Sequence, residues 1–299
     1  MNEQFAEIGP VTLCYETFGD PTDPAILLIM GLGTQMVAWR EDFCGQLVDR
    51  GFFVVRYDNR DAGKSTSMEG PPPTTRELVT RRIKQLSYTL EELADDAVGL
   101  LDHLGIQKAH IVGASMGGMI AQHVALRYPG RVLSLTSIMS TVGGRWAGRA
   151  RLSVLPAFLS APPQDKDGYV ERAVKLFRMV GSKRLFDEEY VREGAALSYD
   201  RGVNFAGTGR QLAAITADGN RAKRLGRITA PTLVIHGKDD KLVTPSGGRA
   251  TAKAIPGAKL VMLDDMGHDL PRLVWPKLID AIVQNTKRAT DEEVVASAT

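Results

Sequence analysis

Six runs that are apolar more continuously than the rest restrict this chain more than any other feature: "AILLIM" (25–30), "FFVVRY" (52–57), "HIVGA" (110–114), "LSLTSIM" (133–139), "TLVIHG" (232–237) and "KLVML" (259–263). Short runs that do not alternate with polar residues suit strands covered on both faces. An earlier run, "VTLCYETFG", alternates as a half-exposed edge strand would. Helical patterns separate the strands. In "YTLEELADDAVGLLDHLG", Leu90, Leu93, Ala97, Leu100, Leu101 and Leu104 share one stripe, with Gly105 as the stop. A second helix is predicted from Ser115 to Pro129. Strand–helix alternation implies an α/β fold with a mostly parallel, doubly wound sheet.

The alternation stops over 142–226, where "GYVERAVKLFRMVG" and "DEEYVREGAALSYD" read as helices without a clear strand. The expected organisation is a core of 1–141 and 227–299 carrying a helical cap insertion at 142–226. From Arg145 to Arg227 there are 16 Lys and Arg against 9 Asp and Glu, an excess of 7 positive charges. A solvated helical surface accounts for such an excess; attraction of anionic substrates is the functional alternative. The tail "ATDEEVVASAT" is expected to fray.

The whole chain of 299 residues is 43% hydrophobic, enough for a large core, and its formal charge of +2 argues against nucleic acid or an anionic membrane as partner. No apolar run approaches the ~18 residues of a membrane span. Cys14 and Cys44 suit a reducing compartment better than a disulfide framework. "MNEQFAEIGP" lacks the apolar segment of a signal peptide. A soluble cytoplasmic protein is the expectation.

"DNRDAGKST" (58–66) ends in Gly-Lys-Ser, as phosphate-binding loops do. Such a loop needs a glycine where Asp58 stands and must open a helix. The prolines of "SMEGPPPTT" prevent that helix.

The chemistry lies instead in "HIVGASMGGMIAQ". Gly113-x-Ser115-x-Gly117 between a strand and a helix is the context of a nucleophile turn. The glycines let the chain reverse without collision, the Ser115 hydroxyl is lifted clear of the sheet, and the Met116 N–H lies at a helix N-terminus, ready for developing negative charge. Of five histidines, His103, His110 and His123 fall on helices or a strand start, and His236 ends a buried strand. His268, in a glycine-containing loop after the last apolar run, is placed to reach Ser115 as its base. Asp239 and Asp240 both follow a strand and point in different directions, so one of them should orient His268. The order Ser, Asp, His is that of α/β-hydrolases.

The residues "IMGLGTQMVAW", "VVRYDNRDAGKST", "GASMGGMIAQ", "PTLVIHGKDD" and "MGHDLP" resemble the α/β-hydrolase family over about residues 8–288. The resemblance is strongest to bacterial carboxylesterases of the aclacinomycin methylesterase type. It implies an α/β-hydrolase fold and a serine carboxylesterase acting on small-molecule esters without cofactor or metal. It implies Ser115, Asp240 and His268 as the triad, Asp240 being the last residue of Gly-x-x-Asp. It also implies an oxyanion hole from the N–H groups of Leu32 and Met116, with Gly31 and Gly33 permitting close approach of substrate. The family's usual His-Gly is Met30-Gly31 here. Asp58 and Arg60 fit its Asp-x-Arg-x-x-Gly-x-Ser turn, expected to brace loops beside the site. Trp146, Phe158, Phe177, Met179, Tyr199 and Phe205 are candidates to line an apolar pocket, with Trp146 and Phe177 foremost; the alternative is that they form the insertion's own core. Ser115 disfavours dehalogenase or epoxide-hydrolase chemistry, which would need aspartate there. Lactone hydrolysis, cofactor-free perhydrolysis and a non-catalytic ligand receptor are the competing functions.

Overall fold

The computed structural model describes residues 2–154 and 162–297, with backbone alone for 290–297. Eight strands form one sheet: β1 (Gln4–Ile8), β2 (Val11–Phe18), β3 (Ala25–Ile29), β4 (Phe53–Tyr57), β5 (Ala109–Ala114), β6 (Val132–Ile138), β7 (Thr232–Gly237) and β8 (Lys259–Leu263), in the order β1-β2-β4-β3-β5-β6-β7-β8. β2 runs antiparallel to β1 and β4, and the neighbours from β4 to β8 are all parallel. Every predicted strand is present, but β2, expected as a half-exposed edge, lies between β1 and β4 and is mostly buried. β1, too polar to be read as a strand, forms because it pairs with β2 along its full length.

Strand periodicity explains the layers. In β3, Leu27 and Ile29 join a core with Leu93, Leu100, Ile120 and Val124, from helices α3 (Leu90–His103) and α4 (Met116–Arg127). Ile26 and Leu28 face the opposite way, toward Phe43 and Leu47 of α1 (Glu41–Val48) and Leu278 and Ile282 of the last helix. Both faces of β3 are therefore covered, as its unbroken apolarity requires. Between them in sequence come α2 (Thr75–Thr80) and, between β6 and β7, the helices α5 (Lys166–Val180), α6 (Glu188–Arg201), α7 (Phe205–Asp218) and α8 (Ala222–Leu225). α9 (Ser246–Ala254) and α10 (Trp275–Ser297) complete the chain. The tail expected to fray instead continues α10 to Ser297, its alanines, glutamates and valines offering no breaker.

The insertion's positive charges divide in an unexpected way. Arg201, Arg210 and Arg221 are buried, so part of the excess is internal rather than a solvated face. Arg201 Nη2 lies 2.8 Å from Asp58 Oδ2, and Arg201 Nε donates 2.7 Å to Glu3. Arg210 grips both oxygens of Asp61, at 2.8 and 2.6 Å, and the Tyr88 hydroxyl donates to the same carboxylate at 2.7 Å. Burial alone would raise the Asp61 carboxyl; Arg210, Tyr88 and the Met68 N–H outweigh it and hold the group below its ordinary range. Arg60 makes a bidentate pair with Asp96 at 2.7 and 2.5 Å. The loop resembling a phosphate site is thus filled by its own carboxylate: Asp58 accepts from the Lys64 and Met36 N–H groups. A Cβ on Gly63 would lie 2.1 Å from Asp58 Oδ2.

Removing one member of a buried pair strands the other's charge, at a typical cost of about 3–5 kcal/mol, whereas exposed pairs contribute about 1 kcal/mol or less. Asp61→Asn keeps a residue tolerant of the left-handed conformation found there (φ +69°) and leaves Arg210 without its counter-ion. Its urea-unfolding midpoint is expected to fall well below that of the parent, while Asp280→Asn, at the exposed Arg50–Asp280 pair, barely shifts it. Equal shifts in the two variants would refute the clamp.

Candidate active site

The residues singled out for chemistry gather at the carboxyl ends of the parallel strands, where open α/β sheets place their ligands. Ser115 follows β5 and caps α4 with φ +56° and ψ −117°, a conformation that costs a non-glycine residue about 1–3 kcal/mol. The surrounding packing imposes it. A Cβ on Gly113 would lie 2.1 Å from the Gly117 carbonyl oxygen, and one on Gly117 would lie 2.1 Å from that of Ile29. The turn is pressed between β3 and its own helix, and only glycine fits at either flank.

His268 Nε2 lies 3.0 Å from Ser115 Oγ, and His268 Nδ1 lies 2.7 Å from Asp240 Oδ2. Asp240 is 1% exposed, while Asp239 is exposed to solvent. The other oxygen of Asp240 accepts from the Leu242 and Val243 N–H groups, both at 2.9 Å, so the carboxylate is fixed in plane. Burial would raise its pKa; His268 and His236 together outweigh that and leave it lowered. His236 Nε2 approaches Asp240 Oδ2 at 3.4 Å while bonding the Val243 carbonyl at 2.7 Å.

The loop that carries His268 rests on the insertion. His268 N–H donates 2.8 Å to the Val180 carbonyl, and the Gly267 N–H donates 2.9 Å to Ser182 Oγ. Ser182 in turn donates from N and Oγ to Asp269, at 3.0 and 2.5 Å. Burial pushes the Asp269 carboxyl up in spite of these bonds. Neither Ser182 nor any role for Asp269 was apparent from sequence, although Asp269 stands inside the "MGHDLP" motif.

After β3, Gly31, Leu32 and Gly33 form a turn against the serine: a Cβ on Gly31 would lie 3.0 Å from Ser115 Cβ. Met116 is buried at the first position of α4. The aromatic candidates are more dispersed. Phe177 and Met179 lie half-buried on α5. Trp146 is 75% exposed with the Arg149 guanidinium 5.8 Å above its ring. Tyr199 and Phe205 pack around Tyr169, within the insertion, at centroid distances of 5.7 and 6.2 Å. Phe158 lies outside the described residues. The remaining histidines have partners away from the serine: His110 bonds Ser134, and His123 bonds Asp218. Both cysteines are buried and free, their thiols pushed up to about 12 by burial, Cys14 helped by Asp58. Among the described residues no helix is long and apolar enough to cross a membrane, and no group of three or more His, Cys, Asp or Glu is placed to hold a metal ion.

Known proteins share this arrangement of sequence. The chain is 31% identical to the rhodomycin D methylesterase of Streptomyces peucetius, over 94% of this chain and 96% of the relative. It is 26% identical to 3-oxoadipate enol-lactonase 2 of Acinetobacter baylyi, over 85% of each. Among solved structures, a hydrolase from Pseudomonas aeruginosa PA01 superposes with a TM-score of 0.72 at 26% identity, covering 95% of this chain and 98% of that one. The enol-lactonase from Burkholderia xenovorans LB400, at 24% identity, shares the fold with a TM-score of 0.74 over 95% of this chain and all of the other. Residues 24–271 match the family described as alpha/beta hydrolase fold. That stretch runs from the head of β3 to just past His268, and on this match the chain belongs to the alpha/beta hydrolase family.

Proposed function

We propose that the protein is a carboxylic ester hydrolase that works through an acyl-enzyme on Ser115. The observation that carries this reading is the unbroken chain from Ser115 Oγ through the His268 ring to Asp240. His268 Nε2 takes the hydroxyl proton as Oγ attacks the ester carbonyl carbon. The Leu32 and Met116 N–H groups receive the charge that develops on the carbonyl oxygen, a donor of this kind being worth about 3–4 kcal/mol. His268 returns the proton to the departing alkoxide as the tetrahedral species collapses to the acyl-enzyme. Water, deprotonated by the same imidazole, then releases the acid and regenerates the serine. Asp240 keeps His268 in the tautomer with Nδ1–H toward the carboxylate and stabilises the imidazolium formed at each step.

Residues 142–226 serve in this reading as the cap over the site, with Phe177 in the pocket and Trp146 at its rim. The name of the Streptomyces peucetius relative points to a methyl ester as the bond cleaved. Likeness to an enol-lactonase favours a second substrate class with the same chemistry, in which the leaving oxygen stays tethered. A panel of methyl esters and enol-lactones of graded size separates the two.

Three outcomes test the assignment. An activated fluorophosphonate should label the parent once per chain, and labelling should vanish in Ser115→Ala; labelling that persists there would refute Ser115. Asp240→Asn should lower kcat by about 10²–10⁴ with little change in KM, since an amide cannot stabilise the imidazolium. Asp239→Asn, altering an exposed carboxylate, should stay within about tenfold of the parent, and reversed effects would exchange the two roles. Phe177→Ala should reduce kcat/KM for long-chain esters more than for acetate, because an apolar contact contributes about 1–3 kcal/mol; Trp146→Ala should do so to a smaller extent. Uniform loss across chain lengths would remove both aromatics from the pocket.

A further inference from the structure

The turn proposed to supply an oxyanion donor is held from outside the core. The Gly33 N–H donates a 2.7 Å hydrogen bond to Gln211 Oε1, and Gln211 Nε2 donates 2.9 Å to the Arg60 carbonyl. Gln211 belongs to α7 of the insertion and is fully buried. The Arg60 carbonyl can only accept, so the amide nitrogen must face it and the amide oxygen is left for Gly33. One turn earlier on the same helix, Thr208 closes over the loop: a Cβ on Gly33 would lie 2.7 Å from Thr208 Oγ1.

The remaining bonds fix what Gln211 controls. Thr34 N–H donates 3.2 Å to the Gly31 carbonyl, closing the turn, and Thr34 Oγ1 donates 3.1 Å to the Leu32 carbonyl. The peptide joining Leu32 to Gly33 is therefore held at both ends, its N–H by Gln211 and its C=O by Thr34. Leu32 is the pivot between that peptide and the preceding one, whose N–H is the proposed donor. That preceding plane is tied through its Gly31 carbonyl to Thr34 N–H at 3.2 Å, so a turn of the first plane strains this bond and shifts the donor. Gly33, at φ +61°, offers no side-chain resistance to such a turn. A buried N–H deprived of its acceptor also has reason to move, because an unpaired group costs about 1–3 kcal/mol.

We propose that Gln211 is a positioning residue for the oxyanion turn, so that the helical insertion supplies part of the catalytic geometry as well as a roof. The inference rests on the ester-hydrolase reading above. Ground-state binding does not require the Leu32 N–H to be aimed, whereas the tetrahedral state does. Loss of Gln211 should accordingly appear in kcat and in the affinity for tetrahedral adducts, and leave the ionisation of His268 alone.

Gln211→Leu and Gln211→Met keep most of the side-chain volume and remove the acceptor. With folding checked by thermal midpoint and active sites counted by fluorophosphonate, each is expected to lower kcat on p-nitrophenyl acetate by about 10- to 100-fold, below the full loss of a donor. KM should change by less than about threefold, in keeping with an interaction made only in the transition state. Inhibition by a trifluoromethyl ketone, which forms the tetrahedral adduct, should weaken by the same factor as kcat. Binding of the corresponding non-reactive amide and the acid-limb midpoint of kcat/KM should not move. Parental kcat in folded variants, a loss confined to KM, or equal weakening of the ketone and the amide would each overturn the assignment. Ser115→Ala separates the two layers: turnover lost there but undiminished in both Gln211 variants overturns the role of Gln211 alone. Parental turnover in Ser115→Ala overturns the hydrolase reading, and this proposal with it.

Discussion

The contact between the Gly117 backbone and the Ile29 carbonyl is the constraint on which the rest of the site depends. It brings the first turn of α4 against the end of β3 with no room for a Cβ, since one at position 117 would approach to 2.1 Å. Three consequences follow from that single closeness. Ser115 is driven into a left-handed conformation that no local preference would choose. The loop after β3 is laid beside the serine, so that Gly31 abuts it. The first turn of α4 starts immediately behind the serine, its Gly118 N–H donating 3.0 Å to the Ser115 carbonyl. Core packing on both faces of the sheet supplies the free energy that keeps this strained turn in place.

A second layer of order comes from charges inside the protein. Asp58 and Asp61 lie in a loop of the core, and their counter-ions Arg201 and Arg210 come from the insertion. Buried ion pairs contribute little net stability but tolerate little displacement, because separation exposes each charge to an apolar surrounding. They register the insertion against the sheet. From that register Gln211 reaches the turn after β3 and Ser182 reaches the histidine loop, the two loops that adjoin the serine.

Much of the fold was legible because its strands are covered on both faces and so carry uninterrupted apolar sequence, as in "AILLIM" and "TLVIHG". β1 was not, because "QFAEI" is short and polar at both Gln4 and Glu7, and only pairing with β2 makes it a strand. The Gly-x-Ser-x-Gly turn was legible for a steric reason: between a strand and a helix, so sharp a reversal leaves room for nothing larger than glycine at those two positions. The choice between Asp239 and Asp240 needed direction, which sequence carries only through the resemblance to known hydrolases. Gln211 left no mark at all. A glutamine on an amphipathic helix reads as surface, and only the approach of a loop 178 positions away in sequence makes it a buried connector. The arginine excess was legible as a number, but its division into buried and solvated members depended on carboxylates in a distant loop.

The backbone contact between Gly181 and Gly267, where a Cβ on Gly267 would fall 2.2 Å from the Gly181 carbonyl carbon, bears on how such a scaffold diversifies. With no side chain on either partner, the fit is one of main-chain shape, and an inserted or deleted residue on either side slides the histidine loop out of line. A change of length between Val180 and Ser182 would be felt directly at His268, whose N–H bonds the Val180 carbonyl. The chain just after β6 is tied instead to the loop that follows Asp240: Arg151 N–H donates 2.9 Å to the Lys241 carbonyl and Gly148 N–H donates 3.0 Å to Ser246 Oγ. Exchanging the whole insertion between relatives would therefore replace backbone partners of both the Asp240 loop and the His268 loop, and a graft that ended just before Val180 would replace only those of the first.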